Sequence, residues 1–223
     1  FRAALTGNGI KLIAEIKPSS PSRGRLTELE AVKIARVYRQ ESPSAISVLT
    51  DKKYFGQSLS VLKQVRMVVD KPLLRKDFII DPYQVYESAA AGADAILLIA
   101  AILPPKKLME LHDLALQLEM DSLVEIHSES ELESLPFQPP LLGINNRRLD
   151  GDLSTDLAVT EHLAGLVGSG TVLVSESGIK RFEDIRRLQK PGNVNAVLVG
   201  TSLLEDVKNT AQLRHRIRNL MSP

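Results

Sequence analysis

The fold class this sequence predicts is α/β, a single (β/α)8 or TIM barrel. Three observations carry the prediction. Short runs rich in β-branched residues recur about every 26 residues, the length of one strand–helix unit with its loops. Several of these runs are apolar almost throughout, as parallel strands covered on both faces must be. The segments between them show helical period instead. Alternating β and α units imply a parallel sheet, and eight repeats of this length favour a closed barrel, with an open doubly wound sheet as the alternative on pattern alone.

Taken in order, the strands are expected at 11–16 (KLIAEI), 45–50 (AISVLT), 72–76 (PLLRK), 95–100 (AILLIA), 122–127 (SLVEIH), 141–145 (LLGIN), 171–177 (TVLVSES) and 195–201 (NAVLVGT). A helix over 28–40 places Leu29, Val32, Ala35 and Val37 near one stripe, with Glu30, Lys33 and Arg36 outside it. Asp81 is a natural N-cap and Pro82 a natural first helical residue for the helix after the third strand. Pro104 marks the start of the next, where Leu108, Leu111, Leu114, Ala115 and Leu118 repeat the apolar stripe over 105–120. No linker, low-complexity tract or second domain interrupts the pattern, so the 223 residues read as one barrel spanning 1–223.

Composition narrows the function classes. Hydrophobic residues make up 43% and charged residues 25%, the balance of a globular chain able to bury a sizeable core. Cysteine is absent, which excludes disulfides, thiolate metal sites and cysteine nucleophiles and agrees with a reducing, cytoplasmic setting. Lys and Arg number 28 against 27 Asp and Glu, so no broad basic face for nucleic acid is expected. The longest apolar run, 95–103, falls far short of the roughly 20 residues that cross a bilayer, and no signal peptide opens the chain. Phe1 stands where Met would, so the natural start is expected to lie upstream.

In such barrels the chemistry gathers at the C-terminal ends of the strands. Glu15 and Lys17 end the first strand two residues apart and therefore share a face. Lys76 and Glu125 end the third and fifth strands, making four convergent charges that are costly to bury unless they pair or act. Ser177-Gly178 after the seventh strand and Gly200-Thr201-Ser202 after the eighth stand where barrels of this kind hold phosphate, because glycine lets the backbone approach an anion. His127 could share the face of Glu125, but no second histidine stands at metal-ligand spacing, so no metal is implied. His112, His162 and His215 read as surface or satisfied helix residues, Gly7-Asn8-Gly9 as a loop, and Arg214, Arg216 and Arg218 as a solvated helix face.

These residues carry a resemblance to indole-3-glycerol-phosphate synthase. The matching stretches are LIAEIKPSSPS (12–22), ISVLTDKKYFG (46–56), LRKDFIIDPYQ (74–84), GADAILLI (92–99), LVEIH (123–127), GINNRRL (143–149), SESGI (175–179) and VLVGTSL (197–203), one per strand and in order. The resemblance implies a carboxy-lyase of tryptophan biosynthesis. Its reaction converts 1-(2-carboxyphenylamino)-1-deoxyribulose 5-phosphate to indole-3-glycerol phosphate with loss of CO2 and water, and no cofactor. By the same resemblance Lys76 is the general acid toward the substrate carbonyl, and nearby cations are expected to lower its pKa. Lys17 holds the substrate carboxylate and supplies a proton at dehydration, Glu125 is the general base, Glu15 orients the lysines, and Asn145 hydrogen-bonds the reacting centre. Ser177 joins this catalytic set. Ser20, Gly178, Gly200 and Thr201 cradle phosphate, while Phe55, Phe78, Arg147, Leu149, Glu176 and Leu198 complete the pocket.

The implied partner is a small phosphorylated substrate, with no nucleic acid and no membrane. The chain is expected to be a monomer, or to be fused or associated with other tryptophan-pathway enzymes. Two departures stand out. The family usually carries a further segment before Phe1, including a helix over the barrel mouth, and Pro18-Ser19 stands where the family tends to have basic residues. A related phosphate-binding barrel, phosphoribosylanthranilate isomerase, would be expected to place a cysteine base after the first strand, and there is none. A catalytically silent scaffold would be expected to lose costly residues such as Glu15, Lys17, Lys76, Glu125 and Asn145 first.

Overall fold

The structure is a computed structural model that describes residues 1–20, 24–148, 154–190 and 192–222. Its strands are β1 (Lys11–Ile16), β2 (Ala45–Leu49), β3 (Leu73–Lys76), β4 (Ala95–Ile99), β5 (Asp121–Ile126), β6 (Leu141–Asn145), β7 (Val172–Glu176) and β8 (Val194–Val199). Each pairs in parallel with its sequence neighbours, and β1 pairs with β8 to close the barrel. A two-stranded hairpin of Ser19–Ser20 with Gly24–Arg25 lies outside it, in the first loop.

Alternation along the strands sorts the side chains into two cores. Ile13, Leu74, Leu97, Leu123, Leu141, Val174 and Leu198 point inward and fill the barrel, where Leu5 joins them from the short 3-10 turn before β1. Ile16, Ile46, Leu73, Ile96, Val124, Ile144 and Val197 point outward under the helices. The inward positions continue toward the C-terminal ends as Glu15, Lys76, Glu125, Asn145 and Glu176. The apolar filling of the barrel is therefore topped by polar groups.

The helices follow as α1 (Ala31–Glu41), α2 (Leu59–Arg66), α3 (Pro82–Ala90), α4 (Pro105–Gln117), α5 (Glu129–Glu133), α6 (Ala158–Ala164), α7 (Phe182–Gln189) and α8 (Thr210–Met221). Asp81 caps α3 in a capping box with Gln84, and Pro82 takes the first helical position, as the sequence predicts. His112 on α4 is buried, hydrogen-bonds Ser122 and stacks on Phe137 at 4.3 Å, a satisfied helix residue. His162 pairs with Glu129, and His215 with Asn219 one turn on.

One surface expectation is corrected. Arg214 and Arg218 on α8 both grip Glu41 at the end of α1, at 3.1 and 2.8 Å, and Arg216 donates to the Ser202 carbonyl. The run is a clasp between the last and first helices, closing the ring, and not a merely solvated face. The two guanidiniums hold the Glu41 carboxyl below the usual carboxylate range, chiefly by hydrogen bonding from Arg218.

Behind the mouth, Asn146 forms a fully buried knot. Its amide nitrogen donates to Ser175 Oγ and to the carbonyls of Glu176 and Ser177, while its oxygen accepts from the N–H and hydroxyl of Thr160 on α6. The knot ties β6, the turn after β7 and α6 together, and it restrains Ser177, whose φ of 65° is left-handed. Asn146→Ala leaves several of these buried groups unsatisfied and should destabilise the barrel by about 3 kcal/mol. A denaturant midpoint that barely moves would show that water replaces the side chain.

Candidate active site

Parallel strands deliver their ends to one rim, so residues far apart in sequence meet over the barrel axis. Lys76 lies at the centre. Its Nζ is 3.0 Å from Glu125 Oε2 and 3.5 Å from Glu176 Oε2, reaching across from β3 to β5 and β7. Glu176 fits only because Gly143 stands on the adjoining β6, two residues before its register partner Asn145, where an added Cβ would collide with Glu176 Oε1. Gly200 makes the same allowance for Glu15, since a Cβ there would strike Glu15 Oε1. Both glycines are thus cut-outs for carboxyl groups in a packed barrel. Tyr38 on α1, buried with its hydroxyl pushed well above the ordinary value by burial and Glu15, donates to the Glu15 carbonyl from behind.

The electrostatics overturn one expectation. The close neighbours of Lys76 are carboxylates, not cations. Burial works against its ammonium, but Glu125, Glu176 and Glu15 outweigh burial and hold its pKa above the ordinary lysine value. The lysine pushed down is Lys17: burial is the main cause, Lys76 and Arg147 add to it, and Glu15 opposes them. Lys17 Nζ stands 3.9 Å from Glu15 and 5.2 Å from the Phe55 ring centre, a loose ion pair with a cation–π contact.

The carboxyls separate in the same way. Burial raises Glu125, but Lys76, His127 and a hydrogen bond from Asn145 bring it below the usual range, so it is ionised. Glu176 is raised well above that range by burial, assisted by Glu125 and Glu15 and opposed by Lys76. Neither of its oxygens makes a hydrogen bond of good geometry within the protein. The ammonium between them therefore favours the charged form of Glu125 more than that of Glu176.

A cavity of about 750 Å³ opens above these groups. Of the residues singled out from the sequence, Glu15, Lys17, Phe55, Lys76, Phe78, Glu125, Asn145, Arg147, Glu176, Ser177, Gly178, Leu198, Gly200 and Thr201 all line it. Leu149 and the side chain of Ser20 lie outside the described residues. Ser19 contributes indirectly, donating from its hydroxyl to the Phe55 carbonyl at 2.6 Å and so tying the first loop to the second. Phe78 meets Tyr54 edge-on at 5.9 Å beside the opening.

At the far side, Ser177 and Gly178 take successive left-handed conformations, φ 65° and 82°, turning the chain sharply after β7. Thr155 packs on Gly178 so closely that a Cβ there would lie 3.1 Å from the threonine Cβ. Thr155 and the apolar Leu97 and Ile99 of β4 also line the cavity and were not singled out from the sequence. Leu97 and Ile99 share the inward face of an apolar strand, a signal that was readable. Thr155 gave none, because its place depends on the path of a loop. Among the described residues no cluster of His, Asp and Glu forms a candidate metal site, and no helix is long and apolar enough to cross a membrane.

Comparison with known proteins adds to this geometry. The sequence profile described as indole-3-glycerol phosphate synthase matches residues 1–217. A relative of that name from Dehalococcoides mccartyi is 49% identical over 215 residues, covering 94% of this chain and 82% of the relative. Another from Shouchella clausii is 50% identical over 196 residues, covering 86% and 76%. Among solved structures, the tryptophan synthase complex from Pyrococcus furiosus superposes with a TM-score of 0.69 over 95% of this chain and 97% of that one. At 14% identity that likeness speaks for the barrel alone.

Proposed function

The chain belongs to the indole-3-glycerol phosphate synthase family, and from that premise we propose how its charged mouth carries the reaction. The enzyme converts 1-(2-carboxyphenylamino)-1-deoxyribulose 5-phosphate to indole-3-glycerol phosphate in tryptophan biosynthesis, releasing CO2 and water. The observation that carries the residue assignment is Lys76 held between Glu125 and Glu176, at 3.0 and 3.5 Å, with Lys17 and Glu15 beside them.

Lys76 gives a proton to the substrate carbonyl as the aromatic carbon bearing the carboxylate attacks it. The carbon–carbon bond forms as the nitrogen lone pair pushes into the ring, which leaves the nitrogen as an iminium. Loss of CO2 returns an electron pair to the ring. The new hydroxyl then leaves as water with a second proton, and Glu125 removes a proton from the methylene next to nitrogen to complete the indole. Lys17 is suited to the second donation because its pKa is pushed down, which makes it the stronger acid of the two. Before that it holds the substrate carboxylate. Lys76 is the weaker acid but is charged at every working pH, and Glu125 at 3.0 Å can return a proton to it. Asn145 steadies Glu125, Glu15 sets the lysines, and Glu176 and Ser177 face the reacting centre.

Phosphate occupies the end of the cavity bounded by Gly178, Gly200 and Thr201, with Ser20 approaching from the first loop. Phe55, Phe78, Arg147 and Leu198 enclose the aromatic part. Anchoring both ends bends the flexible chain between them into a reactive shape. The enzyme acts in the cytoplasm, in keeping with its lack of cysteine, and as a monomer, which light scattering would check.

Three experiments test this reading. Adding the carboxyphenylamino substrate should produce indole fluorescence; no signal from folded protein would overturn the assignment. Inorganic sulfate should inhibit competitively, and Thr201→Asp should raise KM far more than it lowers kcat, because a like charge weakens ground and transition states together. A Thr201→Asp enzyme with unchanged KM would move the phosphate elsewhere.

A further inference from the structure

His127 is the buried polar side chain of the mouth that this chemistry leaves without a task. It follows Glu125 by two residues at the end of β5 and faces the same way. Its Nε2 lies 3.5 Å from Glu125 Oε1 and its Nδ1 lies 3.4 Å from Glu131 Oε2, with the side chain only 9% exposed. Glu131 is held in turn: it accepts the His127 backbone N–H at 2.9 Å, and its own N–H is tied to the capping Ser128 at the start of α5. The ring also stands between the main cavity and a smaller one of about 280 Å³, lining both.

A histidine kept only for packing would have its nitrogens satisfied by hydrogen bonds. Here Nδ1 is buried without one of good geometry, and what the ring meets on both edges is carboxylate. Lys76 addresses Oε2 of Glu125 and His127 addresses Oε1, so the carboxylate is held from two sides. From this geometry we infer that His127 is a positioning residue for Glu125, holding Oε1 on one edge of its ring while Glu131 braces the other. The inference rests on Glu125 being the base.

The arrangement answers a problem in the reaction. Once Lys76 has given up its proton, Glu125 loses the cation nearest to it, yet it must remain an ionised base for the dehydration that follows. His127 supplies a second contact, on Oε1, that the first step does not spend. The charged groups around it are Glu125 on its own strand, Glu131 on α5, Lys76 from β3 beyond Glu125, and Arg147 and Arg148 beyond β6 along the smaller cavity.

The test compares His127→Asn, His127→Ala, Glu131→Gln and Glu125→Gln in the full enzyme, reading kcat, KM and melting temperature across pH. His127 is among the influences that lower the Glu125 pKa, so its removal raises it. The acid limb of kcat should therefore move to higher pH in both His127 variants. At neutral pH kcat should fall on the order of 10-fold with KM within threefold, and Glu131→Gln should shift the limb the same way but less. His127→Asn keeps a side chain of similar reach, so a fold lost only in His127→Ala leaves the test intact. An unmoved acid limb in His127→Asn, whether or not stability falls, overturns the inference and makes the ring scaffolding. If Glu125→Gln keeps its activity, the reading of the base fails instead. If Glu125→Gln is inactive while His127→Asn behaves like the parent, this inference alone fails.

Discussion

Lys76→Ala is expected to lower kcat by at least about 100-fold, the worth of a positioned general acid, while the barrel still forms. The loss should exceed that of the proton donor alone, because Lys76 has two tasks. It is the largest influence holding the Glu125 pKa down against burial, so without it that pKa rises and the base is weakened as the acid is lost. The residual activity should show its acid limb at higher pH than the parent. Lys76→Ala and Glu125→Gln should also fail to multiply: the double variant should lose far less than the product of the two single losses, as residues acting as a unit do. Stability should fall as well, since truncation leaves Glu125 buried without its partner. A folded Lys76→Ala enzyme within threefold of the parent kcat would remove Lys76 from the mechanism.

What the sequence shows and hides follows from how each feature is encoded. β1 and β6 lie where their apolar runs place them, residue for residue, because both ends are marked locally. The remaining strands differ from expectation by a residue or two at their ends, where pairing and not composition sets the limit. The set of Glu15, Lys17, Lys76 and Glu125 was legible from period-two alternation and strand order, and Asn145 entered through the family resemblance. Which of them touch was not. Lys76 reaches across the barrel to β5 and β7, so its carboxylate surroundings depend on closure and register. The clearance that Gly143 gives Glu176 is equally a matter of register, with Glu176 set against Asn145 on the adjoining strand. The Arg214–Glu41 contact joins residues 173 apart, beyond any local pattern. Local spacing names the cast of the site, and the closed ring decides the pairings that set each proton affinity.

Lys17→Met is where catalysis and stability should part. If Lys17 and Glu15 formed a rim ion pair kept for stability, removing the lysine would strand a buried carboxylate and lower the melting temperature. The geometry argues otherwise. The two charges are 3.9 Å apart, and Glu15 is close enough to Lys76 to raise its pKa, so Glu15 keeps a cation when Lys17 is gone. Lys17 meanwhile is buried at a cost, pressed by Lys76 and Arg147, and its folded pKa lies below the ordinary 10.5. A lysine whose folded pKa is depressed destabilises the fold while it is protonated. That cost is fully present below the folded pKa and fades as pH rises from there to 10.5. Methionine preserves the apolar stem and removes the charge. The variant should therefore melt at or above the parent temperature at neutral pH, and any gain should shrink toward alkaline pH. Its kcat/KM should collapse by about 100-fold or more, the worth of roughly 3 kcal/mol for a charged contact with the substrate carboxylate. Melting curves and initial rates on the same preparations decide between the readings. A variant that melts well below the parent yet keeps most of its kcat/KM would show that the pair exists for the scaffold, and that the positive charge in the mouth was not placed there for substrate.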